Sequence, residues 1–498
     1  MKKYIICLYA LAAVCCASCS DWLDVRGENV QKENDQFGNY KGFRDALTGC
    51  YITLADNDIY GQALTMTHIE TLANLWYCPD SYENDAPGRY ALHTHNYSDE
   101  NTFDIIEAIY AKLFNVIAQA NLIMKHVEED GNVIPSAKTR SVIAGEAYAI
   151  RAFCQFDVLR LFGQLPEGAT KQVMLPYSEI TDISSQPAYY GYADYVKKLE
   201  ADLNQAVSLL KENDPIFEYT FSELNQSSAS LNDTYFYYRQ SRMNYWAVRA
   251  LQARFYLYIG DTATAHTIAM EIINAKDSNG NPVIALSGTT DFPTCHTCAS
   301  ECLFYLSKFD VKSSSNSVLL GSADVTTQIS SSVFVINVSM RDGMYAEYAS
   351  KASHNRYKNL WGDMFLQDRY GQKEYISLKK YTHADDANDL MIKHQIIPLL
   401  RMSEIYLIAI ETSDNLDEVN SLYTTYMESC DMTIFDLFTS VEQMKEWIIR
   451  EYHREFYGEG QMFYTYKRLG ANSMIRGEQE VTESEYILPL PSTEYNPN

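Results

Sequence analysis

Between Met444 and Phe456 apolar side chains recur every four residues, at Met444, Ile448, Tyr452 and Phe456. That spacing lays one apolar stripe along a helix. Arg450, Glu451, Arg454 and Glu455 are interleaved with it. Acid and base three and four residues apart project from one side. Long paired side chains beside a buried aromatic stripe brace neighbouring helices more readily than they do chemistry. Gly458 and Gly460 stop the helix, since glycine enters the left-handed region at little cost.

The same period marks most of the chain. Tyr40, Phe43, Leu47, Tyr51 and Leu54 predict a first amphipathic helix. Residues 103–127 and 139–162 predict a long antiparallel pair, the second helix closed by Gly163 with Pro166 beyond. Residues 192–210 repeat the pattern. Over 246–273 a helix turns at Gly260-Asp261 into one carrying Ala265 and Ala269; small residues where two helices cross resemble a tetratricopeptide unit. Helix returns at 398–412 and 441–456. The stretch 59–98 reads as a short helix running into loop. Over 277–353 the period fades, leaving strand-like runs at 318–320 and 333–338. The expected fold is mainly α, with a helical-repeat scaffold over roughly 39–276 and 396–470 and an irregular insertion over roughly 277–395.

Charge narrows the function. Forty Lys+Arg stand against 65 Asp+Glu in 498 residues, a net charge of -25, which repels nucleic acid and anionic headgroups. Tyrosine is the compositional outlier at 39. Such rings fill helix interfaces, and they also form platforms on which sugar rings stack.

The first residues carry an address. Lys2 and Lys3 precede a short apolar run over 4–14, too short to span a bilayer. Ala17-Ser18-Cys19 follows and resembles a bacterial lipobox, with residues 1–18 as signal peptide and Cys19 as the acylated first residue of the mature chain. Cys16 stands where the box usually has Leu, and Cys15 and Cys16 are alternative acceptors. Two or more acyl chains anchor a protein stably. The remaining cysteines, 50, 78, 154, 295, 298, 302 and 430, are odd in number and scattered, unlike a disulfide framework. Cys295, His296, Cys298 and Cys302 lack the second half a zinc site draws on, so a local disulfide or simple thiols are expected there, and no metal or other cofactor. His93 and His95 have no third ligand in view.

Six segments in order carry a family resemblance. They are the lipobox with SDWLDV; GEAYAIRAFCQFDVLRLFGQLP, with Glu146, Arg151, Ala152, Phe162, Gly163 and Pro166; ALQARFYLYIGD; RMSEIYLIAIE, with Arg401, Glu404, Tyr406 and Leu407; REYHREFYGEG; and the tail ILPLPSTEYNPN. The chain resembles SusD/RagB-type proteins, surface lipoproteins that partner TonB-dependent transporters in Bacteroidetes glycan uptake. Asp21 and Asp24 behind Cys19 resemble the signal that sends such lipoproteins to the outer face of the outer membrane. The resemblance implies a SusD-like fold of about four tetratricopeptide-like helix pairs plus an irregular region carrying the ligand. It also implies a SusC-like transporter as partner, an oligosaccharide ligand, a lipid anchor at the outer membrane, and structural roles for most motif residues.

Ligand contacts vary within the family, so candidates come from position and chemistry. Trp76, Tyr77, Asp80, Asn84 and Arg89 lie in the irregular early segment, and Asn355, Arg356, Trp361 and Tyr370 lie late. Aromatic faces with amides and guanidinium donors suit an oligosaccharide. Three other classes compete: an enzyme, a docking scaffold without its own ligand, and a binder of other nutrients such as peptides. No G-x-S-x-G, H-E-x-x-H or P-loop is present, and Gly458-Glu459-Gly460 is an incomplete nucleotide motif. A non-catalytic glycan binder is the expected function.

Overall fold

The structure is a computed structural model and describes residues 33–182, 184–226, 228–320, 332–368, 371–381, 392–434, 436–477 and 480–494. The signal peptide, Cys19, Tyr370 and the last four residues of the tail motif lie outside these.

Helix α1 (Tyr40–Leu54) packs on α2 (Glu100–Glu128) and α3 (Ala137–Phe162), and α3 packs in turn on α4 (Tyr192–Leu210). Helices α5 (Tyr245–Tyr258) and α6 (Thr262–Asn274) form the next pair, and α7 (Met402–Thr412) and α8 (Leu416–Ser429) another. Then come α9 (Val441–Glu455) and α10 (Met462–Arg468). The fold is mainly α, as expected. Side chains of Asn39, Asp99, Ser136, Asn244, Asp261, Asn415 and Ser440 each accept a backbone N–H at a helix start, satisfying donors that have no partner within the helix. From Val142 onward α3 is buried nearly all round, so it is the central rod and shows no amphipathic face.

Four expectations change. The spacing puts Phe103 in one stripe with Ile106 and Ile109; those two are buried, but Phe103 is 51% exposed and Thr102 takes the core side. The early segment folds into three short helices, His68–Leu72, Tyr82–Asp85 and Pro87–His93, rather than one. Residues 396–401 form a wholly buried strand, β6 (Ile396–Arg401), antiparallel to β3 (Cys302–Ser307). A short apolar run rich in Ile fits a buried strand as well as a helix, and the helix starts only at Met402. Val318–Leu320 lies in the helical turn Asn316–Leu320, whereas 333–336 is extended, with Ile336 bridging Ile376. The other strands are β1 (Leu175–Tyr177) with β2 (Ala188–Tyr190), and the hairpin β4 (Trp361–Asp368) with β5 (Gly371–Leu378).

The charged residues of α9 brace the fold. Met444, Ile448, Tyr452 and Phe456 are buried, and so are Glu451, Arg454 and Glu455. Arg454 Nε donates to Glu451 at 2.6 Å, and Arg356 donates to Glu455 at 2.6 Å. Arg401 reaches Glu301 at 2.5 Å, Glu455 at 2.8 Å and Glu459 at 2.8 Å, and Lys380 reaches Glu459 at 2.5 Å. Arg356, Arg401 and Lys380 thus face Glu301, Glu455 and Glu459, which keeps this desolvated cluster neutral. Gly460, at φ +71, leaves no room for a side chain, because a Cβ would lie 2.0 Å from the Leu64 carbonyl oxygen.

Glu70 is a further buried carboxyl, accepting N–H bonds from Gly458 at 3.0 Å and Gly460 at 2.8 Å. Burial outweighs those bonds and pushes its pKa up from 4.5 to about 8. The raised folded-state value means its contribution to stability is complete below about 4.5 and is lost as pH rises through about 8. Glu455 is held well below the ordinary carboxylate value by Arg356 and Arg401, despite burial. Its contribution is present above the unfolded value and is lost as pH falls into the acid range. Urea unfolding of Glu70→Gln should therefore show a smaller decline in stability between pH 5 and pH 8 than the wild type. Equal slopes would mean that Glu70 is ionised throughout.

Candidate functional site

A cleft of about 800 Å³ opens beside the β3–β6 pair. The short helix Phe221–Asn225 and the turn at Tyr238–Gln240 form one wall, residues 282–300 another, and Tyr305, Lys393 and Ile396 the floor side.

Tyr238 sits on this wall with φ 56 and ψ 47. A bulky residue in the left-handed region costs roughly 1–2 kcal/mol. The conformation is tied from both sides: the Tyr238 N–H donates to Leu224 O at 3.3 Å, and its carbonyl accepts from Ser241 N at 2.9 Å. Its half-buried ring lines the cleft with Phe221 and Tyr305. Burial, with Cys302 and Tyr238 alongside, holds the Tyr305 phenol well above its ordinary pKa, so it stays a neutral hydroxyl.

An amide relay fixes a polar contact on the same wall. Gln240 Nε2 donates to the Cys302 carbonyl on β3 at 2.5 Å, and Asn225 Nδ2 donates to Gln240 Oε1 at 2.5 Å. A carbonyl can only accept, so the backbone of β3 sets the orientation of both amides. Asn225 Oδ1 is consequently the atom left over, buried and without a hydrogen-bond partner among the described residues. A buried acceptor of this kind costs free energy until a donor reaches it. Together the wall offers the half-buried Tyr238 ring and a buried, unpartnered acceptor of the kind a ligand hydroxyl satisfies. Asp291 is the one carboxylate among its described lining residues, whereas two-carboxylate glycoside hydrolysis needs a facing pair.

The sequence candidates lie elsewhere, and several are core. Trp76 is 1% exposed, donates to Met66 O at 3.0 Å and meets Tyr457 edge-on at 5.2 Å. Trp361, also buried, meets the same Tyr457 ring at 5.0 Å. The early and late segments are thus joined through Tyr457 as packing, with no face left for a sugar. Arg89 is buried, donating to Val333 O at 3.0 Å and Tyr77 O at 2.8 Å. Asn355 and Arg356 are buried, the latter committed to Glu455. Those five fall inside because the short elements that carry them lie on the helical core and cover it. Tyr77 is half-buried against Tyr375 at 5.6 Å, and Asp80 and Asn84 are exposed. Sequence reasoning missed Asn225, Tyr238 and Tyr305; the one signal was the tyrosine density of TYFYYRQSRMNY.

Cys295, Cys298 and Cys302 are free, buried thiols. Burial drives Cys298 and Cys302 well above the ordinary thiol pKa, away from the thiolate form a metal takes. His354, Cys430 and Glu451 do gather within 4.8 Å. Arg356 N, however, donates to His354 Nδ1 at 3.2 Å, which leaves the ring proton on Nε2 and no lone pair there for a cation.

Comparison with known proteins agrees with this fold. Residues 363–498 match the model of the SusD family. Its fold is SusD-like. The chain is 27% identical over 173 residues to the SusD-like protein P25 of Formosa agariphila, covering 33% of this chain and 31% of that one. The chain spans about a third of the length of the curated relatives it matches. A solved SusD superfamily protein from Bacteroides thetaiotaomicron superposes with a TM-score of 0.68 at 19% identity, over 92% of this chain and 98% of that one. Surface glycan-binding protein A from the same organism, solved in complex with laminarihexaose, gives a TM-score of 0.63 at 15% identity, over 92% and 97%. No helix among the described residues of the SusD-like chain is long and apolar enough to cross a membrane.

Proposed function

We propose that this SusD-like protein is a non-catalytic glycan-binding protein of the cell surface, anchored to the outer membrane through lipid on Cys19. In this reading it passes oligosaccharide to a SusC-like TonB-dependent transporter. The observation that carries the proposal is the cleft wall on which strained Tyr238 and the unpartnered Asn225 Oδ1 stand together. An aromatic face takes the C–H side of a sugar ring while a fixed acceptor takes a hydroxyl. The laminarihexaose complex of a protein with this fold supports the ligand class. The same reading assigns roughly 39–276 and 396–470 to the scaffold and roughly 277–395 to the ligand-bearing insertion, which places the cleft at their seam.

The test is calorimetric titration of the protein against neutral oligosaccharides and peptides, with product analysis of each mixture. Saturable binding of one glycan with no shortened product is expected. Peptide binding in its place, or release of smaller sugars, would overturn the reading.

A further inference from the structure

A second cleft of about 320 Å³ shares no lining residue with the first. It opens where the helix Val338–Met344, helix α9 and the segment after α10 meet, and Ser339, Gly343, Arg450, His453 and Arg476 stand on its wall. No carboxylate is among its described lining residues, although the chain as a whole carries a net charge of -25.

The cations there differ in how they are satisfied. Arg450 pairs with Glu347 at 2.9 Å, and the other oxygen of Glu347 goes to Arg454. Arg476 donates to Met340 O at 2.8 Å, to Leu75 O at 3.4 Å and to the Tyr457 hydroxyl at 3.3 Å. All three are neutral acceptors, and no carboxylate among the described residues forms an ion pair with this guanidinium. Beside it His453 is 2% exposed, and its Nε2 has no hydrogen-bond partner among the described residues. Burial, with Arg476 and Arg454 nearby, keeps that imidazole neutral by pushing its pKa well below the ordinary value. Among the described residues, Arg450, Arg454 and Arg476 form ion pairs with Glu347 and Glu451 alone, so these five groups leave one positive charge in excess. A guanidinium held by neutral acceptors, next to a buried ring nitrogen without a partner, lacks an anionic oxygen group. The volume sits at the small end of ligand sites and suits a single ring.

We propose that this cleft binds the anionic group of an acidic sugar residue, a carboxylate or a sulfate ester, with Arg476 as the principal contact and Arg450 and His453 beside it. It is a site of its own, independent of neutral-glycan capture at Tyr238.

The test is titration of the protein with glucuronic acid, glucose 6-sulfate and glucose at low salt. At least one anionic probe should bind tenfold or more tighter than glucose and weaken as salt rises; which of the two binds tells carboxylate from sulfate. Arg476→Gln should lower that affinity at least tenfold. Gly343→Leu should do the same without touching a charge, because a Cβ at Gly343 meets nothing within 4 Å and the side chain would project into the cleft mouth. Neither change should alter binding of a neutral oligosaccharide, which reports on the Tyr238 cleft separately. Equal affinity for glucose and both anions would overturn the proposal, as would anion binding that survives both substitutions.

Discussion

Replacing Arg401 with Met will cost about 3–5 kcal/mol of folding stability, read as a lowered urea midpoint. That is the range for removing one member of a buried ion cluster and leaving its partners uncompensated. Arg401 is 2% exposed and its guanidinium touches Glu301, Glu455 and Glu459. Without it, three buried carboxylates share only Arg356 and Lys380 among the described cations. The loss reaches across the fold, because Glu301 precedes β3, Arg401 ends β6 and Glu455 ends α9. Arg401→Lys keeps the charge but cannot supply the forked donors, and should fall between the two. The control is Arg450→Gln, whose side chain is 48% exposed; an exposed pair contributes about 0–1 kcal/mol. A loss at Arg401 no larger than at Arg450 would remove the cluster from the account of stability.

At Tyr238 stability and binding should separate. Tyr238→Gly removes the ring and releases the left-handed strain, so its stability should stay within about 1 kcal/mol of the wild type. Tyr238→Ala also removes the ring but keeps a Cβ at φ 56, and should be about 1 kcal/mol less stable than the glycine variant. Both should bind neutral glycan at least tenfold more weakly, roughly 1.4 kcal/mol. Undiminished glycan binding in both variants would place the ligand somewhere other than against this ring.

The helices were legible because each carries its own evidence in a local period and a capping residue. The stripe from Met444 to Phe456 and the Gly458 and Gly460 stop lie where the spacing put them. The residues 396–401 were not legible as a strand, since what makes Ile396-Ile397 extended is β3, almost a hundred residues earlier. Periodicity records the face a segment buries and not the partner it buries against. The site failed for a related reason. Trp76 and Trp361 look like sugar platforms in a sequence, yet both are spent on the edge of Tyr457. Asn225 looks like an ordinary loop amide, and only the Cys302 carbonyl, through Gln240, leaves its buried oxygen without a partner. Tyr238 differs from its neighbouring tyrosines in a backbone angle that no local pattern announces.

The most direct measurement is a crystal structure of the protein with the neutral oligosaccharide that binds it in titration. A sugar ring stacked on Tyr238, with a hydroxyl donating to Asn225 Oδ1, is the predicted result. A sugar bound instead against Tyr77 and the β4–β5 hairpin, with the Tyr238 cleft empty, would contradict the account.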